Sequence, residues 1–127
     1  KAWSYLESEN DVDFFQVKAA LSSEICIRSP TGNYAYEFSV SVMDDPQTAL
    51  WESTSVSSTN GEPYTKCVKP SAEPALSPFL STVEGTNYKS GLFVIRVYSQ
   101  GPVHPDRPYW IDTPNILAWD GLGGFGG

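Results

Sequence analysis

Basic residues are scarce in this chain: eight Lys and Arg stand against 15 Asp and Glu, a net charge of −7. That balance repels phosphate backbones, so nucleic acid is not an expected partner. Histidine and methionine occur once each, and cysteine twice, at Cys26 and Cys67. With no Cys-x-x-Cys and a single His, zinc and redox motifs are excluded. No apolar run approaches the roughly 20 residues a membrane-spanning helix needs, and no basic and apolar leader stands at the front. An exported form is therefore expected to have lost its leader already. A Gly-x-Ser-x-Gly elbow and an EF-hand loop are also missing.

What is present suits one domain. A chain of 127 residues matches the usual size of a single hydrophobic core, and a 40% hydrophobic fraction is enough to build one, which excludes wholesale disorder. The cysteines leave two readings open. They either close a disulfide, which implies an oxidising compartment, or stay as two unpaired buried thiols.

Strand patterns dominate. Leu92 to Tyr98 alternates Phe93, Ile95 and Val97 against Arg96 and Tyr98, and Tyr36 to Val42 alternates Tyr36, Phe38, Val40 and Val42 against Glu37, Ser39 and Ser41. Ile25 and Ile27 mark a shorter strand that ends at Ser29-Pro30-Thr31-Gly32-Asn33, a turn in which Pro fixes φ and Gly permits reversal. On this pattern Cys26 faces away from the isoleucines, which suits a bridge to an overlying loop carrying Cys67. Further strands are expected at Asp13 to Lys18, Thr65 to Val68 and Pro108 to Asp112. Glu52 to Tyr88 is rich in Ser, Thr, Pro and Gly, with Asn60-Gly61 as a turn signal and four prolines that rule out long helices. The expected fold is all-β: an antiparallel, jelly-roll-like β-sandwich over residues 1–117, with a long Pro/Ser-rich insertion and a Gly-rich tail or linker over 118–127.

Three stretches, in order, carry a family resemblance: Asp11-Val12-Asp13-Phe14-Phe15-Gln16-Val17, Ile25-Cys26-Ile27-Arg28-Ser29-Pro30-Thr31-Gly32, and Ser90-Gly91-Leu92-Phe93-Val94-Ile95-Arg96-Val97-Tyr98-Ser99. With Pro108-Tyr109-Trp110-Ile111 as a closing strand, they resemble the bacterial pre-peptidase C-terminal domain over about Leu6 to Ile111. The resemblance implies a noncatalytic β-sandwich attached to an exported protein and used for secretion, maturation or holding a substrate. Relatives in bacterial collagenases bind collagen and calcium, but no residue here carries collagen binding over.

Candidate chemistry is sparse. Glu9, Asp11 and Asp13 offer hard oxygen ligands of the kind calcium prefers, and equally suit capping of a turn. His104, in a Pro-bounded loop with Asp106, has no nucleophile elbow to serve, so catalysis is not expected. Asp112-Thr113-Pro114 lacks the Gly of the aspartic-protease triplet, and the Gly-x-Gly of the tail lacks a βαβ setting. Tyr88, Tyr98, Tyr109 or Trp110, and Trp119 lie near the final strands, where they either fill the core or form a ligand platform.

These features lead to an expected noncatalytic, extracellular interaction domain, stabilised by calcium if the acidic cluster is a site. It would bind an extracellular protein or polymer or its own parent protein. The alternative is a structural subunit of an extracellular filament or surface assembly that self-associates through its Gly-rich end and edge strands.

Overall fold

In the computed structural model the chain is described over residues 2–32, 34–53, 63–82, 85, 89–113, 115–119 and 123–125. In order along the chain the strands are β1 (Ala2–Ser4), β2 (Asp13–Ala20), β3 (Ile25–Arg28), β4 (Tyr36–Val42), β5 (Trp51–Glu52) and β6 (Thr65–Val68). After two 3-10 turns come β7 (Ser81–Thr82), β8 (Lys89–Ser99), β9 (Tyr109–Asp112), β10 (Ile116–Trp119) and β11 (Gly123–Phe125).

These strands form two antiparallel sheets. One runs in the order β11-β1-β9-β3-β6, and the other β10-β2-β8-β4-β5 with β7 also on β8. The pairs β1 with β9, β2 with β8, β3 with β6 and β4 with β5 are nested in sequence. A long antiparallel ribbon folded over on itself gives this order, which is that of a jelly roll.

Alternation places the core between the sheets. Phe15, Val17 and Ala19 of β2, Phe38 and Val40 of β4, and Phe93, Ile95 and Val97 of β8 face Ile25 and Ile27 of β3 and Tyr109 and Ile111 of β9, all fully buried. Each large side chain removed from water contributes roughly 1.5–3 kcal/mol. Among the described residues the one buried carboxylate in this core belongs to Asp13, whose Oδ2 accepts hydrogen bonds from Tyr109 Oη at 2.6 Å and Ser4 Oγ at 3.1 Å. Asp13 sits on one sheet and its two donors on the other, so these bonds link the layers.

The Pro-rich insertion folds onto the sandwich. Its described part forms 3-10 turns at Pro70–Ala72 and Ser77–Phe79, each with Pro in its first positions, where a missing N–H costs nothing. Between and after them, Leu76 and Leu80 enter the core. The Asn60-Gly61 turn lies outside the described residues.

Two expectations change. The strand expected at Thr65 to Val68 lies in the sheet beside β3 and does not overlie it: Cys26 and Cys67 are direct cross-strand partners of β3 and β6, with Cα atoms 4.1 Å apart, and they form a disulfide. That separation is typical of a close, non-hydrogen-bonded antiparallel pair. The domain boundary expected after residue 117 falls inside β10, and Gly123–Phe125 of the expected tail pairs with β1. The edge of β1 offers backbone donors and acceptors, and glycines can meet them because a ladder needs no side chain.

Gly91 is fixed by a close approach. A Cβ there would stand 2.7 Å from the carbonyl oxygen of Phe79 and 2.9 Å from the Phe93 ring. Gly91→Ala is expected to cost about 1–3 kcal/mol in urea denaturation, as overpacking does; an unchanged midpoint would contradict this contact. The disulfide closes a 41-residue separation, for which chain entropy gives about 4 kcal/mol. Replacing both cysteines by serine should lower unfolding free energy by up to that amount, and a loss near zero would show that the staple is dispensable.

Candidate functional site

With Tyr109 and Ile111 turned inward, the alternation of β9 sends Trp110 outward. Its cross-strand neighbours are Trp3 on β1 and Arg28 on β3, so Trp3, Trp110 and Arg28 form one row across three adjacent strands on the outer face of the five-stranded sheet. Both indoles are half-buried and Arg28 is exposed. Tyr5 and Trp3 pack with their rings nearly perpendicular and centroids 5.6 Å apart. Anchored on one side yet accessible, such rings supply rigid contact area at little entropic cost.

At the Arg28 end the row opens into a groove of about 290 Å³, walled by Pro30, Pro63 and Pro108 and lined by Arg28, Arg107 and Trp110. Its rim is tied down. Ser29 N donates to Tyr64 O at 2.9 Å, Tyr64 N donates to Ser29 Oγ at 3.1 Å, and an Arg107 guanidinium N–H donates to Thr31 O at 3.2 Å. Three prolines and these bonds leave little backbone freedom to lose on binding.

A second groove, of about 400 Å³, lies on the outer face of the opposite sheet, lined by Glu9, Asp11, Glu52, Arg96, Tyr98 and Gln100 among others. Polar groups at this groove are only partly engaged, and Arg96 Nε is buried with no hydrogen-bond partner among the described residues. Tyr98 hydrogen-bonds Glu37, Gln100 Nε2 donates to Glu37 Oε2 at 3.2 Å, and the Arg96 guanidinium lies 5.6 Å from the centroid of the Phe14 ring.

The expected site residues are thus dispersed. Trp110 and Tyr98 are on opposite outer faces and cannot share a ligand. Tyr109 is a core residue, because its place in the alternation turns it toward Asp13. Tyr88 lies outside the described residues, as does the side chain of Trp119. Glu9 and Asp11 line the acidic groove, whereas Asp13 is buried with its carboxylate engaged, and Asp11 Oδ2 caps a turn by accepting from Glu7 N at 3.0 Å. The three do not converge. Among the described residues the one group of three convergent ligand atoms is Glu24, Cys26 and Cys67, and both sulfurs there are spent in the disulfide. His104 serves its own loop: its Nδ1 accepts from Asp106 N at 3.2 Å and its backbone N donates to Tyr36 Oη at 3.1 Å.

Trp3, Tyr5, Arg28 and Arg107 were not singled out by sequence. Ala2-Trp3-Ser4 is too short for alternation to register, and the approach of Arg107 to Arg28 is a property of the fold. Comparison with known proteins finds no matching family model, no matching curated protein and no matching solved structure.

Three phenols are held back from ionising. Burial raises Tyr109 well above its ordinary 10.0, reinforced by the Asp13 carboxylate; burial also raises Tyr36; and burial, then Glu52 and Glu37, push Tyr98 up to about 12. Because the folded chain keeps these protons where the unfolded chain starts to release them, their contribution is complete below pH 10 and is lost as pH rises from there, for Tyr98 through about 12. Melting temperature should decline above pH 10, with part of the tyrosinate absorbance appearing only as the chain unfolds. Full ionisation of all tyrosines with the fold intact would contradict it.

Proposed function

We propose that this chain is a noncatalytic interaction module of an exported protein, which holds an extracellular polymer or protein on the outer face of its five-stranded sheet. The observation that carries the reading is the row of Trp3, Trp110 and Arg28, an aromatic and cationic platform set on rigid strands beside a stiff-walled groove. The disulfide between Cys26 and Cys67 supports an oxidising, extracellular setting. The ordered motifs that resemble the pre-peptidase C-terminal domain support the same role, since that family's modules accompany exported proteins. The polar groups that could suggest catalysis have structural work: Asp13 bridges the sheets and His104 braces a loop.

A second reading, a subunit that assembles with copies of itself, is favoured by one observation. Gly123–Phe125 pairs through its backbone with the edge of the five-stranded sheet, a pairing that a neighbouring copy can also supply. Sedimentation that shows only monomer at all concentrations removes it.

The leading reading is tested by passing the folded chain over immobilised extracellular polymers and matrix proteins, beside Trp110→Ala. At least one surface should retain the chain, and Trp110→Ala should weaken retention about tenfold or more, as truncation of a central aromatic anchor does. No retention anywhere, or retention indifferent to Trp110→Ala, overturns it.

A further inference from the structure

The groove on the five-stranded sheet has a charge opposite to that of the chain. The protein carries −7 overall, yet among the described residues the charged side chains lining this groove are two arginines, Arg28 and Arg107. Both are exposed, and among the described residues neither has a carboxylate partner; Arg107 spends one N–H on the carbonyl of Thr31. The acidic side chains Glu9, Asp11 and Glu52 gather instead in the groove of the opposite sheet. Two exposed guanidiniums beside an indole are a fork-shaped set of donors for planar or tetrahedral anions, and Arg matches carboxylate and sulfate oxygens in pairs.

The remaining features select among anionic ligands. The backbone groups of β1, β9 and β3 are already used in their ladders, so no peptide strand can be added to this face; recognition falls to side-chain planes. A sugar ring suits such planes, with an apolar C–H face to lie on an indole and a rim of oxygens for donors beside it. From Trp3 to Arg28 the row crosses two strand spacings, about 10 Å, the reach of two linked sugar rings. A neutral sugar would leave the guanidiniums unused.

Resting on the interaction-module reading above, the geometry points to an anionic polysaccharide, bearing carboxylate or sulfate groups, as the ligand of the Trp3, Trp110, Arg28 and Arg107 face. Trp110 and Trp3 stack on the sugar rings, and Arg28 and Arg107 take the anionic substituents.

Affinity electrophoresis of the full chain through gels containing polygalacturonate, dextran sulfate or neutral dextran tests this. Retardation is expected in one or both anionic gels and not in dextran, and which of them acts tells carboxylate from sulfate recognition. Retardation should weaken with added salt. Arg28→Ala and Arg107→Ala, each shown by its melting transition to remain folded, should each weaken it at least fivefold, and Trp110→Ala more. No retardation by either polyanion, equal retardation by dextran, preference for a proline-rich peptide, or indifference to both arginine changes overturns the assignment. Retardation in dextran that Trp110→Ala abolishes would sink the anionic ligand and leave the interaction module standing. A polymer or protein surface bound without need of Trp110 would sink both.

Discussion

A carboxylate enclosed between two sheets must find donors or forfeit several kcal/mol, and the partners of Asp13 tie down three strands at once. Ser4 and Tyr109 are register partners on β1 and β9, and both hydroxyls reach the same oxygen of an Asp on β2. A one-residue slip of any of these strands would turn its donor or the acid outward and strand the other group inside. The edge-to-face contacts of Tyr109 with Phe15 and Tyr36 rest on the same placement. The outer surface inherits that constraint. If Tyr109 must point inward at Asp13, Trp110 must point outward, and the register that pairs Ser4 with Tyr109 also sets Trp3 beside Trp110. The polar centre of the core and the aromatic platform are opposite faces of one pairing.

Much of this fold was legible in the alternation of its longer strands. Phe93, Ile95 and Val97, and Tyr36, Phe38 and Val40, are inward as their spacing required, and even the four-residue strands around Ile25 and Thr65 were placed, because turn residues bracket them. Legibility failed where the decisive fact is a partner across the sheet. Nothing local tells that Cys67 is the register neighbour of Cys26, or that Gly123–Phe125 meets an open edge. Asp13, which at a strand entry suits either a calcium ligand or a turn cap, is the first inward residue of β2; a charge at an inward position contradicts the hydrophobic pattern until its donors are known. The candidate face was only one quarter visible in advance. Trp110 could be named from its own strand, while Trp3, Arg28 and Arg107 acquire meaning only when β1, β9 and β3 lie side by side.

The nested pairing of the ribbon explains where irregular chain is tolerated. The disulfide joins β3 to β6, so the part of the insertion that follows β6 begins from a covalently held strand, and its leucines, Leu76 and Leu80, return it to the core before β8 completes the central pairings. Segments of low strand propensity are in this way kept between fixed points. Charge is sorted by groove: Glu9, Asp11 and Glu52 line one together with Arg96, and Arg28 and Arg107 line the other.

The residue that continues the aromatic row beyond Trp3 is Gly124, its register partner on β11. With no side chain at that position, Gly124 adds no wall beside the indole. A ligand laid along the row is walled by proline at the Arg28 end and runs free over the glycine at the other. Such a surface grips a stretch of chain from the side and sets no limit on its length, which suits attachment anywhere along a polymer and not capture of its terminus.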